Sequence, residues 1–165
     1  MSRPKLVTIN DRPGRTGWAP PKRSRRTSEL DGVYRIRRLV EPELAAKACL
    51  LLTDAELDEL EASLARFPAA DPVELGRAAR AWLTRLLAPA ATPWDLRVLA
   101  PLWEETDRCL RAQPDRLGLR PPHAPDSVLP GRELLASFRT RDPELARAAC
   151  RRQLDDEARR LCECC

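Results

Sequence analysis

Histidine is almost missing from this chain. The single one, His123, stands in the loop PPHAPD. A site built on several imidazoles is therefore excluded. A lone histidine without an oriented partner is also poor material for a general base. Aromatic residues make up 4% of the chain, and Val and Ile are scarce. That is weak material for strands. Leu and Ala must supply most of the core, which favours packed helices. No apolar run reaches membrane-spanning length, and the N-terminus has no apolar signal core. A cytoplasmic protein without a membrane partner is expected. No glycine-rich phosphate loop and no nucleophile–base–acid set is visible, so no catalytic residue is assigned, and an enzyme is the less favoured reading.

What is present is charge, unevenly placed. The net charge is +4 over 165 residues. Residues 1–28 carry eight basic groups against Asp11, a net of +7, which leaves residues 29–165 at −3. The basic character belongs to the tail. Six cysteines are present. Cys49, Cys109 and Cys150 fall singly within helical patterns, as free buried thiols of a reducing compartment do. Cys162, Cys164 and Cys165 crowd the end as CECC. They would hold a soft metal or a redox pair, or simply form an oxidation-prone terminus; without a second cluster the terminus reading leads.

Three segments follow from this. Residues 1–28 are a basic flexible tail, disordered or holding one short strand at VTIN. Residues 29–161 are an all-α antiparallel bundle of about six helices. Residues 162–165 are a Cys-rich end. The helix starts are written in the sequence. Ser28 suits a cap for the first helix, and Pro42 predicts a kink or a restart within it. Thr53 with Glu56, Asp71 with Pro72 and Glu74, Thr92 with Pro93 and Asp95, and Asp142 with Pro143 mark the later starts. Each capping side chain satisfies open backbone donors and contributes about 1 kcal/mol. A further helix is expected over 126–141. Leu57, Leu60 and Leu64 make one apolar stripe. Ala146, Cys150, Leu154, Ala158 and Leu161 make another.

Three stretches then carry a resemblance. YRIRRLVEPELAAKA, LTDAELDELEASLARF and RELLASFRTRDPELARAACRRQLDDEARRL stand in order over about residues 30–161. They resemble the opening, second and last two helices of the FCD domain, the ligand-binding part of GntR-type bacterial transcription regulators. Arg37, Glu41 and Pro42 match the opening motif, with Val40 where a leucine is usual. Arg141 and Asp142 match the stop between the last helices. The resemblance implies a helical bundle that senses a small molecule, often a carboxylate, around a metal, behind a winged helix-turn-helix.

The chain departs from that pattern twice. The stretch before the bundle shows no helical periodicity, and PGRTGWAP resembles the end of a wing, so the expectation is a regulator without its reading head. The metal ligands that the resemblance implies fall on Gly76 and Arg80 in the third helix, on Gly131, and on Gln153. Those residues are not metal donors, Gln153 excepted as a weak one. No metal and no cofactor is expected.

The candidate ligand-binding residues are Arg80, Arg37, Gln153 and Gly76. Arg80 shares a face with Leu83 and Leu87, beside Leu75, Ala79, Trp82 and Leu86. It would turn inward over Gly76 and grip a carboxylate bidentately, or run out to solvent, the second reading leading. Arg37 would line the same pocket or sit on a solvated basic face. Gln153 would donate to a ligand or lie at the edge of its stripe. Lys22, Arg23, Arg25 and Arg26 offer at most weak, sequence-independent contact with nucleic acid. The function expected is a degenerate regulator, a stand-alone effector-sensing or protein-interaction domain. Its partner would be a second copy or a paralogous GntR-type regulator, its ligand a small carboxylate. The alternative is a bundle recruited to a biosynthetic pathway, as a metal-independent enzyme or a carboxylate-binding accessory protein.

Overall fold

The computed structural model describes residues 25–67, 72–112 and 129–163. They form six helices: α1 (Arg25–Leu51), α2 (Asp54–Leu64), α3 (Pro72–Leu87), α4 (Pro93–Ala112), α5 (Leu129–Arg139) and α6 (Pro143–Glu163). No strand occurs among the described residues. The expected strand at VTIN, the Asp71 cap, Lys22, Arg23, His123, Cys164 and Cys165 lie outside them. Arg25 and Arg26 open α1.

Local chemistry sets most helix starts. Thr53 caps α2 as a complete capping box, its hydroxyl accepting from the Glu56 N–H while the Glu56 carboxylate accepts from the Thr53 N–H at 2.7 Å. Thr92 and Asp95 repeat the arrangement at α4. The Asp142 carboxylate accepts from the Glu144 N–H at 2.8 Å at α6. Helix α1 differs from expectation in two ways. It begins at Arg25, so Ser28 lies inside it, and it runs through Pro42 without a restart. A residue able to cap stops a helix only where the residues before it will not continue one. Pro42 removes one backbone donor, but α1 is buried on both sides of it, from Tyr34 to Glu41 and from Leu44 to Cys49. That packing keeps the helix continuous through Pro42.

Helices α1 and α6 form the most extensive pair. They run antiparallel, since Arg38 meets Asp155 whereas Glu43, further along α1, meets Arg147, earlier on α6. The apolar core draws on all six helices. Both stripes read from the sequence are buried in full, and Cys49, Cys109 and Cys150 are free buried thiols. On α3 the buried residues are Trp82, Leu86 and Leu87, while Ala79 is exposed. The Trp82 indole donates to the Leu60 carbonyl at 3.0 Å and ties α3 to α2.

Arg141 closes the far end. It adopts φ 58°, the left-handed region that non-glycine residues rarely enter. From there its guanidinium donates to the carbonyls of Cys49, at 2.9 Å, and Leu52. These lie at the end of α1, which has no basic residue in its own last turn. The open carbonyls of one helix are thus satisfied by an arginine between two others.

Candidate functional site

The bundle carries a polar cluster inside its core. Tyr34, Arg37 and Glu41 fall at i, i+3 and i+7 on α1, so they share a face. Cys150, Gln153 and Glu157 repeat that spacing on α6. Trp103 and Thr106 come from α4. Arg37 and Glu41 are only 3% and 1% exposed. The Arg37 Nε donates to Glu41 Oε1 at 2.6 Å and Nη2 to Oε2 at 3.4 Å. Its Nη1 donates to Thr106 Oγ1 at 3.2 Å and lies 3.3 Å from Glu157 Oε2. The Trp103 indole donates to Glu41 Oε1 at 2.8 Å. The guanidinium also sits 5.0 Å from the centre of the Tyr34 ring. One arginine therefore links three helices, with every nitrogen engaged.

Electrostatics fix the charge states. Burial opposes the charge on Arg37, but Glu157 and Glu41 outweigh it and hold the guanidinium protonated. Burial pushes the Glu41 carboxyl upward, while Arg37 and the Trp103 N–H pull it back. Both Glu41 oxygens accept N–H donors, which is the ionised form. The Tyr34 hydroxyl and the Cys150 thiol are driven well up by burial, then by the nearby carboxylates of Glu157 and Glu41 respectively. Both are neutral. The cluster then holds one guanidinium and two carboxylates, Glu41 and Glu157.

Two buried polar atoms here lack a hydrogen-bond partner among the described residues: the Tyr34 hydroxyl and Gln153 Oε1. The hydroxyl lies beside Thr106 and Glu157, without a hydrogen bond of ordinary geometry to either. Buried polar groups are satisfied in the great majority of proteins, so each exception asks for an explanation.

A second arrangement lies between α3 and α4. The Arg80 Nη2 pairs with Asp107 Oδ2, and Nη1 lies 3.8 Å from Glu104 Oε1. Asp107 is itself buried, and Arg80 is about a third exposed. The Asp107 carboxylate rests against Gly76, where an added Cβ would stand 3.5 Å from Oδ1. That is ordinary contact, so an alanine would fit. Gly131 differs, since a Cβ there would meet Leu64 at 3.0 Å. On α4, Trp103 and Thr106 serve the first cluster while Glu104 and Asp107 serve the second.

The four positions that the resemblance assigns to a metal do not fit one. Gly76 faces a carboxylate already paired with Arg80, Arg80 is a cation, Gly131 lies under a leucine, and Gln153 offers an amide. Among the described residues no group of three or more His, Cys, Asp or Glu is placed to hold a metal ion. No chemistry is routed through a metal here.

Of the candidates read from sequence, the structure puts Arg37 against Glu157, one turn from Gln153, and joins Gly76 to Arg80 through Asp107. A separate cavity of about 400 Å³ is lined by Leu52, Glu56, Leu60, Arg85, Ala88 and Pro89, and includes no residue of either cluster. Glu41 stands in the opening motif without a role, Cys150 was legible only as a buried thiol of its stripe, and nothing in the sequence singled out Tyr34, Trp103, Thr106, Asp107 or Glu157. An acid four residues after an arginine looks like an ordinary surface pair. Only Gln153, a polar residue beside the apolar stripe, carried a local signal.

Six helices around a core that encloses polar groups define, among the described residues, an all-α bundle. The particular family follows from comparison. Residues 32–156 match the FCD domain family, the C-terminal effector-binding domain of GntR-type regulators, and the chain belongs to that family. Comparison with curated proteins and with solved structures returned no match.

Proposed function

We propose that the bundle is an effector-sensing or protein-interaction domain of a GntR-type regulator and works without a metal. The observation that carries this is the buried polar cluster of α1, α4 and α6, with two polar atoms that have no partner among the described residues. A core serving stability alone is usually as stable or more so when such an ion pair is replaced by apolar residues. Binding sites keep a few convergent polar groups in an apolar surround. The family supports the same reading.

Arg80, Arg37, Gln153 and Gly76 are the candidate contacts. A small carboxylate would meet the Arg80 Nε, which has no partner among the described residues, or take the place of Asp107 on Nη2. The partner would be a second copy of this chain or a paralogous regulator. Leu39, Leu50 and Leu145 support that, standing 70%, 58% and 50% exposed on α1 and α6. Exposed apolar side chains on a helical pair suit a helix-to-helix contact.

Thermal unfolding tests the reading, with wild type and Arg80→Ala screened against small carboxylates, other small polar compounds and divalent metals. A ligand at a hundred times its dissociation constant adds about 2.7 kcal/mol. In a chain of this size that is a rise on the order of 5–10 °C. A carboxylate that stabilises wild type but not the variant, with metals inert, is the expected result for sensing at Arg80. If no compound of any class shifts either protein, sensing is rejected and partner binding remains.

A further inference from the structure

Resting on the effector-sensing reading, we infer that the corner bounded by Tyr34, Gln153 and Glu157 is a site for a small primary amine in its ammonium form, not for an anion. The first observation is charge. Arg37 faces two carboxylates, Glu41 and Glu157, and its Nε, Nη1 and Nη2 all have partners. Next door, Arg80 again faces two, Asp107 and Glu104. Arg38, 5.8 Å from the centre of the Tyr34 ring, is paired with Asp155, so among the described residues each cluster keeps one more acid than base. An incoming carboxylate would find every Arg37 nitrogen engaged and would add to the excess negative charge there. An incoming cation would reduce it.

The second observation is independent of charge. The Tyr34 hydroxyl, on a side chain that is 1% exposed, has no partner among the described residues, and neither does Gln153 Oε1. Both accept hydrogen bonds. Glu157 supplies a third acceptor one turn along α6 from Gln153, and its side chain is 27% exposed, so the corner has a way in from solvent. An ammonium group carries three N–H donors and no acceptor. The number of donors on the ammonium equals the number of these acceptors. Cys150, a turn before Gln153 on the same face, is held as a neutral thiol and does not compete for the cation.

The structure also supplies a local reporter. The Trp103 indole N–H donates to Glu41 inside the cluster. The Trp94 indole stands exposed at the start of α4, and that of Trp82 bonds Leu60 between α3 and α2. Binding at the corner should move the Trp103 indole resonance and leave those of Trp82 and Trp94 in place.

The experiment titrates the ¹⁵N-labelled full chain with propylammonium. Propionate and tetramethylammonium serve as counter-probes, one of opposite charge and one a cation without N–H donors. Propylammonium is expected to shift the Trp103 indole signal saturably, with roughly millimolar affinity, and to raise the melting temperature. Neither counter-probe is expected to shift the Trp103 signal. Glu157→Gln should weaken binding about tenfold or more. Tyr34→Phe and Gln153→Leu should each weaken it severalfold, with wild-type helical content by circular dichroism. Two variants besides Glu157→Gln keep the test valid if one fails to fold. A Trp103 signal indifferent to propylammonium overturns the inference. So does an equal response to tetramethylammonium, or binding that none of the three variants weakens. If propionate or another non-amine compound stabilises the protein while propylammonium does not, the amine site is rejected and effector sensing stands. If nothing binds, both are rejected.

Discussion

The two sides of this bundle are built on opposite terms. The seam between α1, α4 and α6 hides a guanidinium, two carboxylates, a tyrosine and an indole, linked across three helices. The side where α2, α3 and α5 meet is filled by Leu57, Leu60, Leu64, Leu86, Leu134 and Phe138, and closes a leucine directly over Gly131. The resemblance assigns ligand positions to both sides. On the apolar side such a position has been filled by packing, and on the polar side polar groups remain without partners. The contrast says where a ligand would be accommodated. A close-packed apolar seam leaves a polar molecule nothing to exchange with, whereas a seam with unmet acceptors gains by receiving donors.

Breaking the polar side should have the largest effect. Arg37→Ala leaves Glu41 buried, ionised and without its main partner. A loss of about 3–5 kcal/mol is expected, read by chemical denaturation. Arg37→Met with Glu41→Leu in the same chain removes both charges and should recover most of it. A double variant as unstable as the single one would mean that the pair contributes packing, not charge balance.

The glycines sharpen the comparison at smaller cost. Gly131→Ala forces a methyl against Leu64 at 3.0 Å, so a loss of about 1–3 kcal/mol is expected, partly relieved by Leu64→Val. Gly76→Ala meets Asp107 at ordinary contact distance inside a helix. It should stabilise by up to about 1 kcal/mol through helix propensity. Melting temperatures that move in the same direction for both would contradict the packing described.

The smallest effect concerns the caps, which belong to neither side. Hydrogen bonds from Thr53 hold the Glu56 carboxyl below its ordinary value of 4.5, and those from Thr92 hold Asp95 below 3.8. A carboxyl whose folded value is depressed stabilises the fold above its unfolded value, and that contribution is lost as pH falls through the folded one. Protection of the amides in the first turns of α2 and α4, measured against their intrinsic exchange rates, should therefore fall in acid below about pH 4. Glu56→Gln should remove the pH dependence at α2 alone.

How much of this was legible depends on how far apart the partners lie. Thr53 and Glu56, or Thr92 and Asp95, are three residues apart, and a helix start brings them together without help from the rest of the chain. The stripes of α2 and α6 were legible for the same reason, because helical periodicity alone puts Leu57, Leu60 and Leu64 on one face. The reading was less secure where packing overrules a local signal. Pro42 marks a break on its own terms, and α1 passes through it because both flanking faces are buried. Arg141 was seen as part of a stop, but not as the group that satisfies the end of α1, since its partner Cys49 lies 92 positions away.

The sequence by itself determined the helices, their caps and the apolar faces that must be hidden, since each depends on residues within a turn or two of one another. Tertiary structure decided which acid meets which arginine, that Thr106 reaches Arg37 across 69 positions, and that Asp107 lies over Gly76 and pairs with Arg80. An exposed charge and a buried one read alike in one dimension. Only the packing of α1, α4 and α6 takes Arg37 and Glu41 out of water, and that loss of solvent turns an ordinary pair of charged residues into the centre of a candidate site.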